Sequence, residues 1–226
     1  MTESDRSPEG NDQDRARLGA FVMAMRARGI TDMRVLGAIE TTPRRLFVPA
    51  AARNRDFDDR PIGIECGQSI SAPSLIAQIL QAADLQREHR ILDIGTGSGF
   101  LAAVAALLVA EVYTVDRYKT LVDLARDRFS ALKRDTIVAD CRDGLLGWPE
   151  HAPYDRILVS AAVAEIPPPW LEQLAPGGIL IAPIGAGGSP QALTRIVKAA
   201  EGTGIESDVF GEVRLVSLVP GRAGHL

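Results

Sequence analysis

Apolar residues near the N-terminus recur every three to four positions, which is the spacing of amphipathic helices. The first helix is predicted to begin near Leu18, and Gly29 can end it. A second helix is predicted after a cap at Thr31 or Asp32, and Pro43 ends it.

From Pro73 onward, short apolar runs alternate with longer amphipathic segments. Pro73 fits the first turn of a helix that continues to Leu80. The later pattern predicts strands at 91–94, 111–115, 136–139, 155–160, 178–184, 192–198 and 212–219, and helices at 98–109, 118–132 and 170–174. Such alternation predicts a mostly parallel sheet covered on both faces. No helical pattern separates the last two strands, and residues 201–204 form a turn cluster, so an antiparallel hairpin is expected there.

These elements predict one α/β domain of the Rossmann-like type. Residues 1–17 are polar and have no apolar period, so they are expected to be a disordered tail. The single domain then spans 18–226, with an N-terminal helical and substrate-entrance segment at 18–72 and the Rossmann-like core at 73–226. A chain of 226 residues with 46% hydrophobic content can bury one full core.

The clearest chemical signal is a glycine loop that directly follows an apolar strand. Strand 91–94 runs into the sequence Gly-Thr-Gly-Ser-Gly at 95–99. Three glycines in five positions allow a sharp turn and let a ligand approach the main-chain N–H groups. Position 100 is Phe100, whereas the dinucleotide fingerprint requires glycine there. The loop therefore indicates a nucleoside cofactor without specifying NAD.

Acidic residues at the strand ends indicate which nucleoside is bound. Asp116 ends the second strand of the core, where its carboxylate can accept hydrogen bonds from ribose hydroxyls. The pair Asp143-Gly144 follows the third strand, and Asp140 competes with Asp143 for the adenine amino group. Asp93 lies just before the loop, where it would repel a pyrophosphate but attract the sulfonium and ammonium of S-adenosylmethionine. The pattern thus favours the fold and cofactor of a class I S-adenosylmethionine-dependent methyltransferase.

Plainer interpretations of these acids stay open. Asp116 is equally explained as a surface acid at a strand end, and Asp-Gly is a common turn pair.

Composition disfavours several other classes of function. The net charge of −4, without a basic stripe, argues against nucleic-acid binding. The longest apolar stretch, 100–110, is shorter than the about 20 residues of a membrane span. Cys66, Cys141 and three isolated histidines lack metal-ligand spacing, so no metal is expected. We expect a cytoplasmic monomer that binds neither nucleic acid nor membranes.

Seven segments resemble, in order, the protein-L-isoaspartate O-methyltransferase family. Residues 67–73, GQSISAP, are similar to the family signature GQTIS(A/Q)P. The other similar segments are 35–48, 92–99, 143–148, 152–167, 174–185 and 213–221. The resemblance implies an enzyme that methylates the α-carboxylate of L-isoaspartyl residues in damaged proteins. It would use S-adenosylmethionine, release S-adenosylhomocysteine and need no metal.

The resemblance also assigns residues to roles. Ser71 is the implied catalytic residue, although the residues alone favour it as the cap of the helix that begins at Pro73. The implied cofactor-binding residues are Gln68, Ser69, Ile70, Ser71, Asp93, Gly95, Thr96, Gly97, Gly99, Asp116, Arg117, Asp143 and Gly144. The implied substrate-binding residues are Gly67, Ser71, Ala161, Ala162, Val213 and Leu215.

Two departures from the family pattern keep alternatives open. Glu65 precedes the signature and Arg142 precedes Asp143, so the chain could be a methyltransferase of the same fold that acts on a different peptide or small-molecule carboxylate. A binding protein that has lost activity is disfavoured by the intact Ser71 and glycine loop. A dehydrogenase is disfavoured by Asp93 and by the residue at position 100.

Overall fold

The computed structural model describes residues 8–202 and 204–224, with side chains from residue 17 onward. The described helices are α1 (Pro8–Ala27), α2 (Met33–Thr41), α3 (Pro73–Ala82), α4 (Phe100–Ala105), α5 (Lys119–Ala131) and α6 (Pro168–Gln173). The strands are β1 (Ile62–Gly63), β2 (Ser69–Ile70), β3 (Arg90–Ile94), β4 (Glu111–Asp116), β5 (Ile137–Cys141), β6 (Tyr154–Val159), β7 (Leu174–Ile184), β8 (Gln191–Lys198) and β9 (Ile205–Val213).

A seven-stranded sheet organises the molecule, in the order β5-β4-β3-β6-β7-β8-β9. The pairs from β5 to β7 are parallel, whereas β8 pairs antiparallel with both β7 and β9. The predicted parallel sheet and antiparallel end are therefore confirmed. The chain leaves β3 for β4 and β5 on one side and returns to β6 on the other, which opens a crevice at the carboxyl ends of β3 and β6.

Two apolar clusters hold the elements together. The larger cluster packs α2, α3, α4 and α5 on the sheet, and the smaller one gathers around the wholly buried Trp170 and Tyr154. Helix α2 begins where the Asp32 side chain accepts a hydrogen bond from the Arg34 N–H, as the predicted cap requires. Gly29 adopts a left-handed φ of 87° just after α1, which agrees with its predicted role as a helix end.

The N-terminal boundary differs from the prediction. Helix α1 begins at Pro8, so helical structure extends through 8–17, where a disordered tail was predicted. Residues 1–7 lie outside the described residues. An apolar period reveals only the part of a helix that packs on a core, here around Phe21 and Met25. A polar extension of the same helix carries no such period.

The C-terminal strand was also predicted wrongly, at 212–219 instead of 205–213. Strand β9 is the sheet edge, and nearly all of its residues are exposed, so it lacks the alternation of a half-buried strand. The apolar residues of 214–219 leave the sheet and line cavities instead. Helix α4 is shorter than the predicted 98–109 at both ends: the glycine loop continues to residue 99, and the chain leaves the α-helix in turns after Ala105.

Candidate active site

Two adjoining cavities lie at the carboxyl edge of the sheet. The inner cavity, of about 260 Å³, lies over the glycine loop and the ends of β3 and β4. Many of the predicted site residues line it: Gln68, Ser69, Ile70, Ser71, Gly95, Thr96, Gly97, Asp116, Arg117, Gly144, Ala161 and Leu215. The outer cavity has a volume of about 340 Å³. Its lining includes Pro61, Leu75, Gln78 and residues 212–216, and thus the predicted substrate-binding residue Val213.

Backbone hydrogen bonds tie the glycine loop to the end of β4. The N–H groups of Gly95 and Thr96 both donate to the carbonyl of Val115, at 2.9 and 3.0 Å. Gly95 has a φ of 100°, which favours glycine, and Gly99 a φ of 87°. A Cβ at Gly99 would lie 2.8 Å from the Phe129 ring, so this glycine serves packing and lies behind the cavity lining.

Asp116 lines the inner cavity and braces the loop. Its two carboxylate oxygens accept hydrogen bonds from the N–H groups of Gly97 at 2.8 Å and Tyr118 at 3.0 Å. Burial raises the pKa of this carboxyl above its usual value, although the backbone hydrogen bonds oppose the shift. Each oxygen retains a further lone pair with which to accept a ligand hydroxyl.

Asp93 is wholly buried beneath the loop. One of its oxygens accepts a hydrogen bond from the Thr114 hydroxyl at 2.8 Å, and the other has no partner within the described residues. Burial, reinforced by the negative charge of Asp116, raises the pKa of Asp93 to about 7. A buried carboxylate is unfavourable unless a cation or donor completes it. Asp93 itself lines neither cavity.

The two cavities meet at Ser71. The cap residue of helix α3 is Ala72, and the Ser74 N–H in its first turn donates to the Asp59 carboxylate at 2.9 Å, so the interpretation of Ser71 as the cap is wrong. The helix begins one residue too late for the Ser71 hydroxyl to reach its first N–H groups. Ser71 instead lines both cavities, and Gly67, at the start of the signature, lines neither.

Arg44 holds the backbone around Ser71, a role that the sequence analysis missed. Its buried guanidinium donates to the carbonyl groups of Asp56, Asp58, Arg60 and Ser71, at 3.0 to 3.3 Å. Burial lowers the pKa of Arg44 to about 10, and nearby acids oppose that shift. Its only sequence signal was its place in the family-like segment 35–48.

Residues 214–223, which we call the strap, cross the edge of the sheet. Ala162 exchanges backbone hydrogen bonds of 2.8 Å with Val216 and Leu218, so this predicted substrate residue anchors the strap and lines neither cavity. Further along, the Gly221 N–H donates to Asp143 at 2.7 Å, and the Ala223 N–H donates to the carbonyl of Arg117 at 2.9 Å. The strap therefore closes one side of the inner cavity.

A sequence model of the family described as protein-L-isoaspartate (D-aspartate) O-methyltransferase matches residues 17–223. The chain belongs to this family. A protein-L-isoaspartate O-methyltransferase of Azorhizobium caulinodans is 45% identical over 216 residues, which cover 96% of this chain and 99% of that protein.

Solved structures of the protein-L-isoaspartate O-methyltransferase family share the fold. One covers 92% of this chain and 66% of its own, with a TM-score of 0.77 and 25% identity. Another, described as a Plasmodium falciparum family protein in complex with S-adenosyl-L-homocysteine, covers 88% of this chain and 97% of its own. Its TM-score is 0.73, again at 25% identity. The predicted class I methyltransferase fold is confirmed.

In this chain, the acidic residues that were predicted to contact the adenine amino group form hydrogen bonds or ion pairs with other protein groups. Asp143 lies behind the cavity lining, and its second oxygen accepts a hydrogen bond from the Leu145 N–H at 3.0 Å. Asp140 forms an ion pair with Arg142 at 2.9 Å. Gly144 lines the cavity, and a Cβ there would lie 2.7 Å from Ile94. An adenine contact by Asp143 or Asp140 stays a prediction.

Both departures from the family pattern lie away from the outer cavity. Glu65 lies 4.0 Å from Arg128, which donates to the carbonyl of Ser98 in the glycine loop at 2.9 Å. Arg142 pairs with Glu150 at 2.9 Å. Neither Glu65 nor Arg142 lines the inner or the outer cavity.

Two further findings concern the described residues only. They contain no group of three or more His, Cys, Asp or Glu side chains that could hold a metal ion. None of their helices combines the length and the apolar character that crossing a membrane requires.

Proposed function

We propose that this chain transfers a methyl group from S-adenosylmethionine to the α-carboxylate of L-isoaspartyl residues in damaged proteins, and so repairs them. The observation that carries the proposal is the meeting of the two cavities at Ser71, within the signature segment 67–73. The names of the curated relatives support the activity. The bound S-adenosyl-L-homocysteine of the Plasmodium relative supports the cofactor.

The inner cavity has the donors and acceptors to hold S-adenosylmethionine. In this proposal Asp116 accepts from the ribose hydroxyls, and the residues of the glycine loop contact the amino-acid part. In the same proposal the buried Asp93, beneath the loop, supplies negative charge that favours the cation, and its unpartnered oxygen supports that role. When bound, S-adenosylmethionine supplies a methyl group on a sulfonium, and the sulfur leaves with the electrons of the breaking C–S bond. The new C–O bond uses an electron pair of the carboxylate.

This reaction needs orientation rather than acid–base chemistry. A carboxylate with a pKa of about 4 is already ionised at neutral pH, so no general base is required. Ser71 can donate to the carboxylate and hold it toward the methyl group. Leu215 and Val216 bring apolar surface to the same junction, which excludes water and strengthens electrostatic interactions there.

The outer cavity is the proposed groove for the peptide that carries the isoaspartyl residue. It is continuous with the junction, and Val213 and Leu215 belong to its wall. Activity as a cytoplasmic monomer, independent of nucleic acid and membranes, also belongs to the proposal. The net charge of −4 supports the part of this proposal that concerns nucleic acid.

The decisive experiment measures transfer of labelled methyl from S-adenosylmethionine to an isoaspartyl peptide. The matched control is the same peptide with a normal aspartyl residue. We expect strong labelling of the isoaspartyl peptide only. Equal labelling of both, or labelling of small carboxylic acids instead, would favour a methyltransferase of different specificity.

A further inference from the structure

Ser160 is a second hydroxyl at the place where the cavities meet. It directly follows β6, and its N–H donates to the carbonyl of Ile94 at the end of β3, at 2.9 Å. Its side chain packs against the glycine loop, since a Cβ built on Gly95 would lie 3.3 Å from the Ser160 Cβ. The residue is therefore fixed at the switch point of the sheet by its backbone and by its packing.

Five residues line both cavities: Ser69, Ser71, Ser160, Leu215 and Val216. The polar members are all serines. Ser69 and Ser71 belong to the signature segment, whereas Ser160 comes from the central sheet. Within the described chain, the hydroxyl of Ser160 makes no hydrogen bond, and the same holds for Ser71. Both hydroxyl groups are free to donate to a ligand at the junction.

We propose that Ser160 is a substrate-binding residue that donates a hydrogen bond to the methyl-accepting carboxylate, together with Ser71. This inference rests on the proposed function. A single donor leaves a carboxylate free to rotate about one hydrogen bond. A second donor from a different element fixes the carboxylate plane, so that one oxygen points toward the methyl carbon. The other oxygen accepts a hydrogen bond from the protein, and this bond stabilises its negative charge.

The bond changes of the reaction leave Ser160 chemically unaltered. The carboxylate oxygen forms the new C–O bond, the C–S bond breaks toward sulfur, and no proton moves. Ser160 acts as a hydrogen-bond donor throughout. Its removal is therefore expected to lower turnover of the isoaspartyl peptide and to leave the affinity for S-adenosylmethionine unchanged.

The test compares Ser160→Ala, Ser160→Thr, Ser71→Ala and the double variant Ser160→Ala/Ser71→Ala. For Ser160→Ala, kcat/KM for an isoaspartyl peptide should fall about 10- to 100-fold, the range for a lost hydrogen bond to a charged group. The dissociation constant for S-adenosylmethionine, measured by calorimetry, should stay unchanged. Ser160→Thr keeps the hydroxyl and should recover most of the activity. The exposed Ser130, replaced by Ala, is the matched control.

The double variant distinguishes shared binding from independent effects. If both hydroxyls hold one carboxylate, the combined loss should differ from the product of the two single losses. An unchanged kcat/KM in Ser160→Ala would overturn the inference about Ser160. The proposed function would still stand in that case, because it depends on the activity of the wild type. A loss of cofactor affinity as large as the loss of activity, or no recovery in Ser160→Thr, would also overturn it. An inactive wild type would instead refute the proposed function, and this inference with it.

Discussion

Single residues at the junction of the cavities carry the proposed chemistry. The one-residue shift between Ser71 and the helix cap at Ala72 is decisive, because it leaves the Ser71 hydroxyl free of the helix. Likewise, a glycine rather than a larger residue at position 95 allows the loop to lie against Ser160.

Replacement of Ser71 by alanine is expected to lower kcat for an isoaspartyl peptide about 10- to 100-fold, because one donor to the carboxylate is lost. Cofactor affinity should fall far less than turnover, since Ser71 is proposed to act mainly on the acceptor, although it also lines the inner cavity. Steady-state kinetics with calorimetry measures both quantities, with Ser130→Ala as the control. An unchanged kcat would remove Ser71 from the proposed reaction.

Replacement of Asp116 by alanine is expected to weaken S-adenosylmethionine binding by about 1–3 kcal/mol, the range for lost hydrogen bonds to a charged group. The change removes the proposed ribose acceptor and also releases the Gly97 N–H. Calorimetric titration of the variant measures the effect. Asp135→Ala, at an exposed site, is the matched control and should bind the cofactor normally. Unaltered affinity of Asp116→Ala would exclude Asp116 from the site.

At the scale of elements, the strap decides how the inner cavity is closed. Asp143 connects it to the turn after β5, because its two oxygens accept hydrogen bonds from Leu145 and Gly221. Arg44 has a comparable role beside the signature segment. Its guanidinium donates hydrogen bonds to four carbonyl groups, one of which is that of Ser71. Both contacts join segments that lie outside the seven-stranded sheet.

The variant Asp143→Asn is expected to weaken S-adenosylmethionine binding by about 1 kcal/mol, because an amide has one acceptor oxygen and cannot serve both N–H groups. Deletion of the residues after Pro220 should weaken binding at least as much, because it also releases the Ala223–Arg117 hydrogen bond. In the combined variant the losses should not add, since both changes release the same contact. Calorimetry on the four proteins tests this, and full additivity would show that Asp143 acts independently of the strap.

At the scale of the whole molecule, the strand order places a buried acid at the centre of the sheet. Asp93 has a pKa of 3.8 as an ordinary carboxyl and about 7 in the folded protein, because burial disfavours its charged form. Between these values the folded state binds more protons than the unfolded state. The contribution of Asp93 to stability is therefore fully present below pH about 4 and is lost as the pH rises to about 7.

The free energy of unfolding of the wild type, relative to Asp93→Asn, is accordingly expected to fall as the pH rises from about 4 to about 7. Urea unfolding of both proteins without cofactor, across this range, measures the difference. Titrating groups that do not interact with Asp93 affect both proteins alike, so they cancel, and Asp116 is the group that interacts with Asp93. A difference that is constant with pH would show that the Asp93 carboxyl titrates normally in the folded state.

The local patterns of the sequence determined the alternation of strands and helices, the glycine loop and the family. Each of these depends on residues close together in the chain: an apolar period, glycines that adopt a left-handed turn, a signature of seven residues. Asp116 was predicted to lie beside the loop for the same reason, because it ends the neighbouring parallel strand.

Only the tertiary structure decided the path of the strap, the engagement of Asp143 and the positions of Arg44 and Ser160. The Asp143–Gly221 contact joins residues 78 positions apart, and no periodicity records such a pairing. Ser160 was missed because a serine after a strand has no signal of its own. It gains a role only where β6 returns beside β3 and brings it to the glycine loop. Local propensity fixes the elements, whereas packing between distant segments fixes which side chains share a cavity.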